Sequence, residues 1–222
     1  MTDGCSFGFA GMQLVARPTG ALWWPARATL VVADLHFGKS ERMARRGGAL
    51  LPPYESAETL ARLRAELAAT GAERLIALGD TLDDDLAGQA MVPLLAPIAA
   101  RYEVIWITGN HDPSPADLPG HACAEWSEGG VSFRHIADKG PDITGHYHPK
   151  LMFHTRRIPA FLLGQAHLIL PAFGAYTGGL DCDHPDLRAL VPQGRAILTG
   201  RAARMVPFPL PARARRRRRV PI

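Results

Sequence analysis

Three short apolar runs, each ending abruptly in polar residues, constrain the fold of this chain more than any other feature. They cover residues 30–33, 75–78 and 104–108. The polar segments that follow them are Asp34-Leu35-His36, Gly79-Asp80 and Gly109-Asn110-His111-Asp112. Short continuous runs rich in branched residues are typical of buried strands in a covered sheet, whose ligand sites lie beyond the carboxyl ends of the strands. We therefore expect the three polar segments to converge on one site.

The segments that connect these runs predict helices. Residues 55–70 form the clearest one, because leucines recur on one face and Gly71 follows where a helix would end. The second connection, residues 86–100, contains Pro93 and Pro97 and is predicted to be a broken helix. Strand, helix, strand, helix, strand is typical of an α/β core.

The remaining segments are predicted to be strands. Residues 12–15 and 21–24 form a predicted hairpin, with Pro18-Thr19-Gly20 as its turn. Beyond residue 112, strand-like segments follow one another without intervening helices, at 131–136, 142–144, 160–163 and 167–170. We expect this second half to form a sheet that packs against the first.

The composition is that of a single globular enzyme domain. The chain has 222 residues, of which 47% are hydrophobic and 21% charged, and we predict one domain over residues 1–210. Three distant cysteines without a C-x-x-C pair indicate reduced thiols. The chain shows no amino-terminal leader pattern and no apolar stretch near the roughly 20 residues that span a bilayer. These features predict a cytoplasmic protein with no membrane partner.

Residues 211–222 form a basic, arginine-rich tail. The tail contains six arginines, Arg213 and Arg215 to Arg219, whose total charge exceeds the net charge of +4 of the whole chain. The rest of the chain is therefore slightly acidic. Such a cluster could bind a phosphate backbone through counterion release. It could equally be a solvated end, because nothing apolar is available to fold it. Both interpretations stay open.

Seven side chains with oxygen or imidazole donors follow predicted strands. They are Asp34, His36, Asp80, Asn110, His135, His146 and His148. A set without thiolates suits divalent ions such as Mn, Fe or Zn. Seven donors are too many for one ion, whereas two ions bridged by one carboxylate would use them all and form a clamp for displacement at phosphorus. Asp80, on the central segment, is the natural bridge.

The predicted chemistry is hydrolysis of a phosphate ester. Each ion would polarise a phosphoryl oxygen, and a bound water with its pKa lowered towards roughly 7 would supply hydroxide. His111 stands beside a donor and could protonate the departing oxygen. Lys39, Arg42 and Arg46 follow the first polar segment and could contact phosphates, with a solvated basic face as the alternative.

The ordered blocks D-L-H, G-D, G-N-H-D, a lone histidine after a strand, and G-H-Y-H run from Asp34 to His148. Their order resembles the calcineurin-like metallophosphoesterase superfamily, and the full set is far more specific than any single block. The resemblance implies an α/β fold of two stacked mixed β-sheets flanked by helices. It also implies a phosphoesterase with two divalent metal ions, Mn²⁺ being favoured and Fe or Zn being alternatives.

The same resemblance implies a role for each donor. It implies Asp34, His36, Asp80 and His148 on one ion, Asp80, Asn110, His135 and His146 on the other, and His111 as the catalytic acid. His135 is preferred for the fourth block because it ends an apolar strand. His121, which follows Pro119-Gly120 in a predicted loop, is the alternative.

Two further segments narrow the resemblance. D-L-H-F-G-K at residues 34–39 and L-P-A-F-G-A-Y-T-G-G at residues 170–179 resemble the ligase-associated PdeM type. Proteins of that type are described as DNA damage response endonucleases and are grouped with an ATP-dependent DNA ligase, a helicase and an exonuclease. The resemblance implies a nuclease of DNA repair, with DNA as substrate and those proteins as possible partners. A small-molecule phosphatase, a nucleotide phosphodiesterase and a non-catalytic scaffold stay open as alternatives.

Overall fold

The computed structural model describes residues 3–45, 47, 54–112 and 118–211, and within them the side chains of residues 85–88 are not described. Arg46 and the basic tail from residue 212 lie outside the described residues, so the division into a domain of residues 1–210 and a tail stays a prediction. Among the helices of the described part, none is long and apolar enough to cross a membrane.

The first sheet contains seven strands that lie side by side in chain order. They are β1 (Cys5–Phe9), β2 (Met12–Ala16), β3 (Leu22–Trp24), β4 (Thr29–Val32), β5 (Arg74–Leu78), β6 (Glu103–Ile107) and β7 (His121–Cys123). Neighbours from β1 to β4 are antiparallel, and neighbours from β4 to β7 are parallel. The predicted hairpin is the β2–β3 pair, and the three predicted parallel strands are β4, β5 and β6.

The helices of the described part are α1 (Lys39–Arg45), α2 (Glu55–Thr70), α3 (Asp85–Ala99) and α4 (Pro185–Leu190). Helix α2 has the predicted bounds. It ends at Gly71, whose φ of 65° is left-handed and whose N–H donates to the carbonyl of Leu67.

The predicted break in the second crossover is wrong. Helix α3 continues through Pro93 and Pro97, although each proline removes one N–H donor. Met91, Leu95 and Ile98 are buried against the first sheet. Burial of this apolar face outweighs the lost hydrogen bonds, which is why the helix persists.

The second sheet has mixed pairing. Its strands are β8 (Glu125–Glu128), β9 (Val131–Arg134), β10 (Asp142–Thr144), β11 (Lys150–Phe153), β12 (Arg156–Leu163), β13 (His167–Ile169), β14 (Gly194–Leu198) and β15 (Arg204–Phe208). The order across the sheet is β15-β14-β12-β13-β10-β9-β8, and β11 pairs with β12. Strand β10 is parallel to β9 and β13, and the other pairs are antiparallel.

The two sheets pack face to face, with helices outside them. The core between the sheets joins Leu14, Val31 and Ile76 of the first sheet to Phe133 and Phe161 of the second. The outer face of the first sheet is covered by α2 and α3, and that of the second by α4. This arrangement is the predicted α/β fold of two stacked mixed sheets flanked by helices.

Strands of both sheets end at one edge of this sandwich. The backbone N–H of Asp34, after β4, donates to the carbonyl of Gly79, after β5, at 3.3 Å. The backbone N–H of His36 donates to the carbonyl of Asp80 at 2.9 Å. The backbone N–H of Gly145, after β10, donates to the carbonyl of His135, after β9, at 3.1 Å. The polar segments therefore converge at one edge, as predicted.

Candidate metal centre

The structure gathers the seven predicted donors into two adjoining groups. The first donor group is Asp34, His36 and His148, and the second is Asp80, Asn110, His135 and His146. Within each cluster the titratable ligand atoms lie within 4.8 Å of one another. Each group therefore has donor atoms close enough to share an ion, while their role as metal ligands stays a prediction.

The first donor group joins the end of β4 to the G-H-Y-H segment. Nε2 of His36 lies 3.4 Å from Nε2 of His148, which lies 3.3 Å from Oδ1 of Asp34. The Asp34 carboxylate also accepts the backbone N–H of His146, at 3.1 and 3.0 Å from its two oxygens. Asp34 thus faces its own group and fixes the backbone that carries both later histidines.

The second donor group is centred on Nε2 of His135. This atom lies 3.0 Å from Oδ1 of Asn110, 3.1 Å from Nδ1 of His146 and 3.4 Å from Oδ2 of Asp80. Donors that bind one ion at about 2.1 Å stand about 3 to 3.5 Å apart, so the observed spacings fit an ion. His121, the alternative to His135, lies instead on β7, exposed and packed edge-on against Trp126.

Asp80 stands between the two groups. Its Oδ2 lies 3.4 Å from Nε2 of His135 and 3.9 Å from Nε2 of His36, while Oδ1 accepts the backbone N–H of His111 at 2.9 Å. One carboxylate therefore faces donors of both groups and also holds the backbone of the third polar segment.

The backbone at the site is held in an uncommon conformation. Five donor residues have left-handed φ angles: Asp34 (54°), His36 (47°), Asp80 (47°), His146 (68°) and His148 (46°). Positive φ is uncommon for non-glycine residues and costs on the order of 1–3 kcal/mol each. The surrounding hydrogen bonds overcome this cost, and the result is a set of side chains turned towards a common centre.

Glycines beside the donors allow their close approach. A Cβ on Gly145 would lie 2.6 Å from Oδ2 of Asp34. A Cβ on Gly109 would overlap the backbone N and Oδ1 of Asp80, and a Cβ on Gly79, whose φ is 76°, would overlap the ring of His135. The glycines of the G-D, G-N-H-D and G-H-Y-H blocks are therefore required by packing.

In His135 and His36 a neighbouring group contacts Nδ1, so that Nε2 is the nitrogen that could bind an ion. Nδ1 of His135 lies 2.8 Å from the carbonyl of Leu78, which can only accept, so Nδ1 carries the proton. Nδ1 of His36 lies 2.9 Å from Oδ1 of the buried Asp83, the distance of an ion pair, although the angle between them is not that of a hydrogen bond. Metal-binding histidines usually have such a partner on the other nitrogen, so this arrangement also fits an ion.

Two acidic residues near the site act on its structure. Asp83 is buried between His36 and Arg42. Asp112 is buried and accepts the backbone N–H groups of Thr81, Leu82 and Gly109, at 2.7, 3.0 and 3.1 Å. Asp112 therefore orients its neighbours, because its bonds join the second and third polar segments.

The charged side chains of the two donor groups act on one another. Burial would raise the pKa of Asp80, but its contacts with His135, His111 and His36 lower it well below the usual range. Burial would lower the pKa of His135, yet the Asp80 bond and the charges of Asp34 and Asp80 raise it to about 9. The two side chains therefore stabilise each other's charged form, as a close carboxylate–imidazole pair does.

His111 lies beside both donor groups. Its ring packs edge-on against His36 with centroids 5.2 Å apart, and its Nδ1 lies 3.3 Å from the carbonyl of Asp83. Because a carbonyl only accepts, Nδ1 holds a proton and Nε2 remains for a substrate. The predicted catalytic role of His111 stays a prediction.

The predicted phosphate ligands differ in their surroundings. Lys39 begins α1 and is half-buried. Arg42 donates through Nε to Asp83, so it supports the carboxylate behind His36. Its predicted substrate contact stays untested, as does that of Arg46, which lies outside the described residues.

The segment at residues 171–179, which belongs to the stretch that resembles the PdeM type, packs against the first donor group. The N–H groups of Phe173 and Gly174 donate to the carbonyls of Ala33 and Asp34 at 2.8 and 3.0 Å. Gly179 packs on the carbonyl of His148 so closely that a Cβ would overlap it. This segment therefore holds the first donor group from behind.

Comparison with known proteins agrees with this geometry. Residues 28–184 match the family model described as calcineurin-like phosphoesterase. The structure of nuclease MPE from Pseudomonas putida is similar over 92% of this chain and 100% of that one, with a TM-score of 0.73 and 29% identity.

A second similar structure is Yfce, a phosphoesterase from E. coli, with a TM-score of 0.45, 17% identity, and coverage of 80% of this chain and 97% of that one. No curated protein matches the chain. The similarity to a nuclease is consistent with the PdeM-type resemblance. The match of the family model over most of the chain shows that this protein belongs to the calcineurin-like phosphoesterase family.

Proposed function

We propose that this protein is a two-metal phosphodiesterase that cleaves DNA. The position of Asp80, with one carboxylate oxygen facing donors of both groups, is the observation that carries the proposal. A carboxylate placed in this way is the bridge that a two-ion site requires. The membership of the family implies divalent metal ions, and the oxygen and imidazole donors favour Mn²⁺ over ions that prefer thiolates.

Each of the two donor groups would hold one ion. Asp34, His36 and His148 would hold one ion, Asn110, His135 and His146 the other, and Asp80 would hold both. When bound, the ions would polarise the phosphoryl oxygens and lower the pKa of a water. Asp83 would keep His36 oriented through Nδ1, and the carbonyl of Leu78 would do the same for His135.

His111 is proposed to donate a proton to the leaving oxygen. Its backbone N–H is fixed by Asp80 and its Nδ1 by the carbonyl of Asp83. The ring therefore has one nitrogen, Nε2, available for the substrate. Proton donation by a positioned side chain contributes roughly 10²- to 10⁴-fold to rate.

DNA is proposed as the substrate because the similar Pseudomonas putida protein is a nuclease. A role in DNA repair has the PdeM-type resemblance as its support. The same donor groups would serve a small phosphate ester, so the substrate has to be tested directly.

The first experiment compares a chromogenic phosphodiester, the matching monoester and a DNA strand, each in Mn²⁺ and in chelator. Wild type should hydrolyse the diester and the DNA faster than the monoester, and chelator should abolish both activities. His111→Ala should lose roughly 10²- to 10⁴-fold on DNA, whose alkoxide leaving group needs a proton, and much less on the chromogenic diester. His121→Ala, an exposed histidine on β7, is the matched control and should be unchanged.

A preference for the monoester would identify a phosphatase and contradict the proposal. Absence of hydrolysis from protein that retains Mn²⁺ would favour a non-catalytic scaffold. Equal losses for His111→Ala on the two diesters would remove His111 from the role of proton donor.

A further inference from the structure

Two exposed tyrosines lie at the same edge as the donor groups. Tyr54, just before α2, is 58% exposed, and Tyr176, in the segment at 171–179, is 47% exposed. We refer to them as the tyrosine pair. Their segments are in contact: the N–H of Ala175 donates to Oγ1 of Thr59, in the second turn of α2, at 3.0 Å. Partial desolvation, together with Tyr54 and Glu58, also raises the pKa of Tyr176. Adjacent exposed aromatic side chains offer a surface that a flat ligand can cover.

The tyrosine pair adjoins the first donor group. Tyr176 is two residues from Gly174, so their Cα atoms lie within about 7 Å, and the N–H of Gly174 donates to the carbonyl of Asp34 at 3.0 Å. On the other side, Glu55 follows Tyr54 and accepts the N–H of Ser40, in the first turn of α1, at 3.1 Å. The pair is thus held by the segments that carry Asp34 and His36.

Cationic side chains lie beside the segment that carries Tyr176. Lys150 donates to the carbonyl of Thr177 at 2.9 Å, and Arg157 donates to that of Gly179 at 3.0 Å. Arg157 also faces Asp181, at 4.0 Å, so Lys150 supplies most of the net positive charge here. Next to Tyr176 a cavity of about 530 Å³ opens, lined also by Lys150 and by Arg62, whose charge offsets that of Glu58.

We propose that the tyrosine pair is a nucleobase-binding subsite, on which an unpaired base stacks while its own strand reaches the donor groups. This inference rests on the proposed function and deepens it by naming where the substrate is held outside the metal centre. Aromatic faces flanked by cations are how proteins hold single strands, because every base has a face to stack and every nucleotide has a phosphate. Paired bases have both faces covered and would not fit.

A nucleic-acid strand fits this surface better than a free nucleotide does. Lys150 and Arg62, which line the cavity beside Tyr176, place cationic groups beyond the metal centre, which suits the phosphates of neighbouring nucleotides. A single nucleotide that reached the donor groups would leave those cations without a phosphate.

The test measures binding of a fluorescent single strand to the full chain in chelator, and cleavage of the same strand in Mn²⁺. The double variant Tyr54→Ala/Tyr176→Ala should bind the strand roughly 10- to 100-fold more weakly, the range expected for lost stacking of one base. Tyr54→Phe/Tyr176→Phe should retain affinity, because phenyl rings stack as well. Leu94→Ala, which removes an exposed side chain on α3, should bind as wild type.

A strand that carries abasic sugars separates stacking from other effects. The wild type should bind it about as weakly as the double alanine variant binds the normal strand, and the alanine substitutions should add nothing further. Equal weakening on both strands, or no weakening on either, would overturn the subsite. Displacement of the strand by a mononucleotide at similar concentration would also overturn it, in favour of a nucleotide-sized ligand.

The two proposals fail in different ways. If wild type cleaves no diester but its binding depends on the bases and on the tyrosine pair, the proposed function fails and the subsite stands. If wild type cleaves DNA with the same kcat/KM after the alanine substitutions, the subsite fails and the proposed function stands.

Discussion

Asp80→Asn should reduce metal-dependent diester hydrolysis by roughly 10²- to 10³-fold or more, the loss seen when a group that stabilises transition-state charge is removed. The amide keeps the size of the carboxylate and can still accept the N–H of His111. It loses the negative oxygen that faces both His36 and His135. A neutral amide cannot serve as an anionic bridge, so both ions should bind more weakly.

The measurement is kcat/KM on the chromogenic diester across a range of Mn²⁺ concentrations. Asp3→Asn is the matched control, because Asp3 is exposed and precedes β1, which lies three strands away from β4 in the first sheet. It should behave as wild type. An Asp80→Asn protein with wild-type activity at every Mn²⁺ concentration would refute the role given to Asp80.

Gly109→Ala should also abolish most of the activity, through backbone geometry alone. The added Cβ would overlap the backbone N and Oδ1 of Asp80 and would lie 2.7 Å from Oδ1 of Asp112. Neither neighbour is a flexible side-chain end, because Asp80 is strained at a φ of 47° and Asp112 holds three N–H groups. Asp80 must move, and misplacement by about 1 Å can cost on the order of 10²-fold in rate.

The control for this substitution is Gly8→Ala on β1, since a Cβ at Gly8 would make only ordinary contacts, with Gln13 at 3.6 Å and Met12 at 3.9 Å. The measurement is kcat/KM together with the urea midpoint of unfolding, so that lost activity can be separated from lost folding. Gly8→Ala should match wild type in both. A folded Gly109→Ala protein of full activity would show that the approach of Gly109 to Asp80 does not matter for function.

The sequence predicted those parts of the site that local pattern determines. Apolar runs ending in polar residues identify β4, β5 and β6 and deliver Asp34, Asp80 and Asn110 to one edge, because parallel strands end on the same side. The bounds of helix α2 were predicted correctly, because the spacing of its leucines indicates a helix and Gly71 indicates where the helix ends. The order of the five blocks then identified the family.

Other features depend on contacts between distant segments and leave no local pattern. Pro93 and Pro97 predict a break, but burial of one face of α3 outweighs it. The acidic run at residues 83–85 does not show that Asp83 is buried against His36 and Arg42, which lie more than 40 residues earlier. The left-handed φ angles of the donors likewise follow from the converging strands and cannot be inferred from their residue types.

The most direct test of a centre bridged by Asp80 is the number of metal ions that the protein binds. Metal-free protein dialysed against Mn²⁺ should retain two ions per chain, with the magnetically coupled spectrum expected when two ions share a carboxylate, and His121→Ala should do the same. Asp80→Asn should bind fewer ions and lose the coupling. One ion per chain in the wild type, or two uncoupled ions that persist in Asp80→Asn, would contradict a centre bridged by Asp80.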